Sequence, residues 1–121
     1  MAAAGAVAAA IVAGTCTTAA AADASTTSAG GQARTRFQAY GDIFYIDDLV
    51  ADGHSAVGTY QWGATQYFYW NSNGKGTTRK VDVDLTENLL FSFGSMVGDW
   101  EGTPTGGLLW NTLSTTTTYT S

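Results

Sequence analysis

The chain is 121 residues long, with five Lys and Arg against ten Asp and Glu and a formal net charge of −5. That length holds one domain at most, and an acidic balance with scattered basic residues excludes a phosphate-backbone binder, which needs a basic stripe to displace counterions; nucleic acid is not an expected partner. Cys16 is the only cysteine, so no intrachain disulfide can staple the fold, and cohesion must come from aromatic packing and β-pairing.

Composition shifts along the chain. In residues 1–33 the only charged side chain is Asp23, and most of the rest is Ala, Thr, Gly and Ser. Every aromatic side chain lies between Phe37 and Tyr119, so a core is expected from residues 34–121. A domain of that size buries a modest share of its surface and depends on large side chains. Residues 2–14 are an apolar run of Ala, Val, Ile and Gly with the length of a signal-peptide h-region, too short for a transmembrane helix of roughly twenty residues. Ala22-Asp23-Ala24 offers an A-x-A cleavage site. The expected organisation is a signal peptide over residues 1–24, a flexible Ser/Thr/Gly linker over residues 25–33, and an all-β domain over residues 34–121. The mature protein is then secreted, with no membrane attachment. No Lys or Arg precedes the apolar run, a departure from the usual positive n-region. The alternatives are an Ala-rich cytoplasmic tail and a lipoprotein anchored at Cys16, where Thr15 stands in the place a lipobox gives to Gly or Ala.

In chain order, residues 34–40 read as a first strand with Phe37 inward. Residues 43–47 are apolar on both faces, Phe44 and Ile46 on one side and Ile43 and Tyr45 on the other. A turn over residues 48–53 leads to a strand over residues 55–62, with Ala56, Gly58, Tyr60 and Trp62 on one face and Val57, Thr59 and Gln61 opposite. A short connection enters Tyr67-Phe68-Tyr69-Trp70, an aromatic run that suits a strand contacted on both faces. Asn71-Ser72-Asn73-Gly74-Lys75-Gly76 is a dense turn signal, because Asn and Gly tolerate φ > 0. Residues 77–85 alternate, with Val81, Val83 and Leu85 inward and Lys80, Asp82 and Asp84 outward. Residues 89–93 form another strand, and residues 94–107 a long loop holding the sole proline, Pro104. Residues 108–113, with the Thr run at 115–118, make the last strand. Six to eight short strands, with turns at roughly eight-to-twelve-residue spacing, predict an all-β fold: a small antiparallel β-sandwich or Greek-key barrel.

The acidic turn Asp47-Asp48-Leu49-Val50-Ala51-Asp52-Gly53-His54 places three carboxylates close together in sequence. Calcium takes roughly six to eight oxygens, so Asp47, Asp48 and Asp52 are the metal candidates, with Asp99 or Glu101 as helpers from another loop. Calcium is the single candidate cofactor. The spacing is not that of an EF-hand loop, and the plainer reading is Asx turns shaping the backbone. His54 is the only histidine and titrates near neutral pH, but no G-x-S-x-G or comparable frame supplies a nucleophile. One His without a retained Cys does not assemble a catalytic zinc site. A glycosidase pair would be drawn from Asp82, Asp84, Glu87, Asp99 and Glu101, yet Asp82 and Asp84 sit on a solvent face. The protein is expected not to be an enzyme.

Aromatic residues are the stronger candidates. Tyr60 and Trp62 share one strand face, as do Tyr67 and Tyr69 on the next strand, while Trp100 sits in the long loop and Trp110 on the last strand. Exposed, such rings would stack on sugars; buried, the same rings are the core. The candidate ligand-binding residues are Tyr60, Trp62, Tyr67, Tyr69 and Trp100.

At Ala51-Asp52-Gly53-His54-Ser55 and Trp70-Asn71-Ser72-Asn73-Gly74-Lys75-Gly76-Thr77 the chain resembles a set of small secreted actinobacterial proteins of unknown function. These pair an ADGHS-like turn, a following strand and a WNSNG-like hairpin inside a β-sandwich. The resemblance spans about residues 42–85, implies secretion and a β-sandwich, and brings no activity with it. Those proteins often carry cysteines, whereas this chain has none beyond Cys16. A weaker likeness is to βγ-crystallin-type killer toxins and microbial protease inhibitors, whose diagnostic motifs do not stand in this sequence. The expectation is a non-catalytic extracellular module that binds a glycan or a protein, with carbohydrate its most specific form. A toxin- or inhibitor-like protein, acting on a protein target through the loop at 94–107, is the rival, and a small hydrolase the third reading.

Overall fold

The two-residue periodicity of the sequence is realised as eight strands in the described residues, 22–120, of the computed structural model. They are β1 (Ala24–Thr27), β2 (Ala33–Gln38), β3 (Ile43–Asp48), β4 (Ser55–Trp62), β5 (Thr65–Asn71), β6 (Thr78–Asp82), β7 (Leu90–Gly98) and β8 (Leu108–Tyr119). Two antiparallel four-stranded sheets result: sheet A in the order β1-β2-β3-β6, and sheet B in the order β5-β4-β7-β8. The fold is a small antiparallel β-sandwich, and the chain crosses between its sheets after β3, β5 and β6. No helix among the described residues is long and apolar enough to cross a membrane. Cys16 and the apolar run at residues 2–14 lie outside the described residues, so the signal-peptide expectation does too, apart from Ala22, Asp23 and Ala24.

Alternation sorts each strand between a core face and an outer face. Ala33, Thr35 and Phe37 of β2 and Phe44 and Ile46 of β3 meet Ala56 and Tyr60 of β4 and Phe91, Phe93 and Val97 of β7. Phe37 packs against Phe44 at 4.9 Å and Phe91 at 5.0 Å, and Phe44 against Phe93 at 5.6 Å, all tilted or edge-to-face. Each fully buried ring contributes about 1.5–3 kcal/mol by leaving water, and well-oriented ring pairs add roughly 0.5–1.5 kcal/mol. That aromatic knot stands in for the absent disulfides. Gly58 sets how closely the sheets approach: a Cβ there would fall 2.6 Å from Ile46 Cγ1.

Three segments differ from the sequence reading. Residues 25–33, expected as a flexible linker, contribute β1, which pairs with β2 through Ala24↔Phe37 to Thr27↔Arg34. Thr26 Oγ1 shares a hydrogen bond with Ser114 Oγ at 2.8 Å, and Ser28 Oγ accepts from the amide of Ala33. An edge strand needs backbone pairing more than apolar side chains, which is why a polar Ser/Thr run hides one. The order reaches further: Ala39 donates its amide to Asp23 Oδ1 at 2.9 Å, and Thr118 Oγ1 donates to the carbonyl of Ala22. The second difference is β7, which runs on through the expected loop to Gly98. Ser95, Met96 and Val97 are fully buried, and the loop shrinks to residues 99–107. Glycines that read as breakers instead leave room on a central strand for side chains from its neighbours. The third is β6, which ends at Asp82. Beyond it, Asp42 holds the chain, its carbonyl accepting from Val83 and its Oδ2 from Leu85, so Leu85 still turns inward.

Candidate ligand-binding face

Charge is segregated between the two sheets. The strands of sheet A carry Arg34, Arg36, Asp47, Asp48, Arg79, Lys80 and Asp82. Those of sheet B contain no Asp, Glu, Lys, Arg or His at all. Both faces of sheet B are therefore built from apolar, aromatic and neutral polar side chains alone.

Its outer face carries a second apolar layer. Cross-strand register places Val57 opposite Trp70 on one side and Met96 on the other, and these three pack with Leu108, Phe68 and Leu113. Val57 and Met96 are completely shielded although they point away from the main core. Residues 99–107 supply part of the cover. The amide of Asp99 donates to the Gly107 carbonyl at 2.9 Å, closing the base of this loop. Trp70 Nε1 donates to the Pro104 carbonyl at 2.9 Å. Gly98 is needed for this arrangement, because a Cβ there would stand 2.6 Å from Trp70 Cη2.

Two indoles remain half-exposed on this face, each at 52%. Trp100 stands edge-to-face on Trp70, with centroids 5.1 Å apart and planes at 80°. Trp110 stands edge-to-face on Phe68 at 5.9 Å and 87°. Each pair makes a corner: one ring packed against the sheet and one upright beside it. Beside Phe68, the exposed Gln66 donates from Nε2 to Oγ1 of the buried Thr59 at 3.1 Å.

Tyr60, Trp62, Tyr67 and Tyr69 lie on the opposite, inner face, where Tyr67 keeps 39% exposure, Trp62 and Tyr69 are half-buried and Tyr60 is buried. Tyr60 is buried, stacked on Phe44 at 5.1 Å and on Tyr67 at 4.8 Å, both at 18°. Burial, helped by Tyr69, pushes its phenol pKa up. Trp62 packs edge-on against Phe91 at 5.8 Å, Tyr69 lies 6.2 Å from Tyr60, and Tyr67 closes the end of the stack. Trp100 alone among the five nominated residues reaches the outer aromatic face. Phe68, Trp70 and Trp110 complete that face and were not nominated. Their signal was the alternation within Tyr67-Phe68-Tyr69-Trp70, which separates two pairs of rings without saying which pair turns inward.

The acidic turn does not assemble the expected calcium site. Asp47 and Asp48 are consecutive strand residues and point to opposite faces. Asp47, on the outer face of sheet A, accepts from Arg36 Nε and Nη2 at 2.7 and 2.8 Å, Arg34 Nε at 2.9 Å and Thr78 Oγ1 at 2.6 Å. Burial works to raise its pKa, but the bonds from Arg36, Thr78 and Arg34 outweigh it and hold the carboxyl at about 2. Asp48 accepts from the amide of Val50 and is pushed up by burial. Asp52 accepts from the amide of His54 at 3.0 Å in an Asx turn. Among the described residues no three such side chains gather around a point that would hold a metal ion.

The ADGHS turn and the WNSNG hairpin come together in a shallow recess lined by Asp48, Asp52, His54, Ser55, Ser72 and Lys75. His54 Nδ1 donates to Asp99 Oδ1 at 2.6 Å, and Ser55 Oγ shares a hydrogen bond with Ser72 Oγ at 2.9 Å. No family model, curated protein or solved structure matches the chain.

Proposed function

We propose that the protein is a secreted, non-catalytic binding module that holds an uncharged carbohydrate on the outer face of sheet B. The observation that carries this reading is the pair of half-exposed indoles, Trp100 and Trp110, on a sheet whose strands bear no charge. A pyranose presents apolar C–H faces that pack on an indole and hydroxyls that bond an exposed neutral group such as Gln66. Stacking of this kind buries apolar area without stripping water from a charge, whose desolvation is the costly term in polar recognition.

Secretion is supported by the apolar run at residues 2–14 and by the resemblance at the ADGHS turn and the WNSNG hairpin. The non-catalytic reading is supported by the state of the recess: Ser55 and Ser72 bond each other, and His54 is tied to Asp99. The toxin- or inhibitor-like alternative relied on a long protruding loop. Residues 99–107 are shorter than that and lie down on Trp70.

The test is isothermal calorimetry and tryptophan fluorescence of the full chain against soluble neutral glucans, xylans, mannans and N-acetylglucosamine oligomers. Binding of one class, with quenching or a wavelength shift that Trp110→Ala and Trp100→Ala diminish, is the expected result. A panel that leaves both signals unchanged sinks the carbohydrate reading and turns attention to a protein target.

A further inference from the structure

The two exposed indoles do not crowd one point. Trp110 stands on Phe68 and Trp100 on Trp70, and Phe68 and Trp70 are alternate residues of one strand, β5. Their Cα atoms are separated by two strand rises, roughly 6.5–7 Å, so the spacing between the corners is anchored by β-strand geometry. At one corner Trp110 and the half-buried Phe68 both present ring surface to a sugar, and at the other Trp100 presents it beside the buried Trp70. Beneath these rings Val57 and Met96 are packed with Trp70, Phe68, Leu108 and Leu113 and fully shielded from water. The charged side chains near the Trp100 end are the exposed Asp99 and Glu101 and, from the neighbouring sheet, Arg79, whose Nη1 donates to the Trp70 carbonyl at 2.8 Å.

We infer that the outer face of sheet B reads a linear, neutral oligosaccharide through two subsites, the Trp110–Phe68 corner and the Trp100–Trp70 corner. This rests on the carbohydrate reading above and deepens it in two respects, ligand length and ligand charge. A monosaccharide fills one corner and forgoes the other. A chain of two or three sugars engages both, and the second contact is then intramolecular, made at high effective concentration. Asp99 and Glu101, two carboxylates against the one guanidinium of Arg79, disfavour uronic acids and sulfated sugars at the Trp100 end. The corners also differ in stiffness: Trp110 is fixed on β8, whereas Trp100 depends on a loop held by the Trp70–Pro104 and Asp99–Gly107 hydrogen bonds.

The experiment is a chain-length series on the full protein, from monosaccharide to hexasaccharide, using the neutral backbone that binds best, with a uronic-acid series of the same lengths beside it. Affinity is expected to rise at least tenfold between the monosaccharide and the trisaccharide and then level off, while the uronic-acid series binds at least tenfold more weakly. Trp100→Ala and Trp110→Ala should each reduce the trisaccharide-to-monosaccharide ratio to about threefold or less. Trp100→Phe and Trp110→Phe, which keep a ring in place, should preserve most of the length dependence. Unchanged circular dichroism in each variant separates lost binding from lost folding. A monosaccharide that binds as tightly as the hexasaccharide, or a uronic-acid series that binds better, overturns the two-subsite inference while leaving the carbohydrate reading in place. If no sugar of any length binds, both fall together.

Discussion

His54 Nδ1 lies 2.6 Å from Asp99 Oδ1, and the residue after Asp99 is Trp100. The single histidine therefore ties the turn before β4 to the start of the loop that carries an exposed indole. The Asp99 hydrogen bond, with smaller help from its charge and that of Asp52, holds the imidazole above its ordinary pKa.

Because the folded value is raised, the stabilisation from this pair is complete below the ordinary histidine pKa of about 6.5 and is lost as pH rises through the raised folded value. The gap in melting temperature between the native chain and His54→Gln should be widest near about pH 5.5 and close in alkaline solution. Proton NMR of the imidazole checks the cause: Asp99→Asn should bring the His54 pKa back toward its ordinary value. An unchanged titration would show that Asp99 is not the partner.

Asp47 works in the opposite direction. Its carboxyl is held at about 2, so the stabilisation it supplies is present above the ordinary carboxylate value of about 4 and is lost as pH falls through about 2. The side chains of Arg34 and Arg36 are 43% and 40% exposed, and water screening limits the contribution to about 1 kcal/mol. Urea unfolding of Asp47→Asn should show a deficit of that order at neutral pH that shrinks as the acid limb is descended. A constant deficit across pH would assign the loss to shape rather than charge.

Thr35 Oγ1 and Ser95 Oγ are buried between the sheets without a hydrogen-bond partner among the described residues. Thr35→Val keeps the side-chain shape and removes an unsatisfied hydroxyl, which should stabilise the fold by about 1 kcal/mol, a rise of several degrees in melting temperature for a domain of this size. Ser95→Ala should act in the same sense, less strongly because it also removes volume. A fall in melting temperature for Thr35→Val would mean that the hydroxyl is satisfied in solution.

A chain starting at residue 34 should melt several degrees below one starting at residue 22. It lacks β1, its pairing with β2, and the Thr26–Ser114, Asp23–Ala39 and Ala22–Thr118 hydrogen bonds. Differential scanning calorimetry of the two chains decides it, and equal transitions would return residues 25–33 to the status of a linker.

Much of the fold was legible because β-strands announce themselves by period and turn chemistry. Phe44 and Ile46 alternate with Ile43 and Tyr45, and the structure buries the first pair more deeply than the second. Gly and Asn mark the hairpin that separates β5 from β6. Segments that failed were those where pairing, not side-chain character, makes the strand. The Ser/Thr-rich β1 is held by backbone bonds to β2, and Gly94 and Gly98 of β7 are occupied from outside by Leu113 and Trp70. Neither relationship is visible within a local window.

The sequence by itself determined an all-β chain without a disulfide, with every basic side chain outside the strands of what became sheet B, and with aromatic residues enough to replace covalent staples. Only the tertiary structure decided which rings are core and which are surface. Alternation divides Tyr67 and Tyr69 from Phe68 and Trp70, but both pairs are large and apolar, so hydrophobicity does not choose between them. The choice is made across the sandwich, where Ile46 needs the space that Gly58 leaves on the Tyr60 face. That contact turns Tyr67 and Tyr69 inward by register and leaves Phe68 and Trp70 outside, to be met there by Trp110 and Trp100.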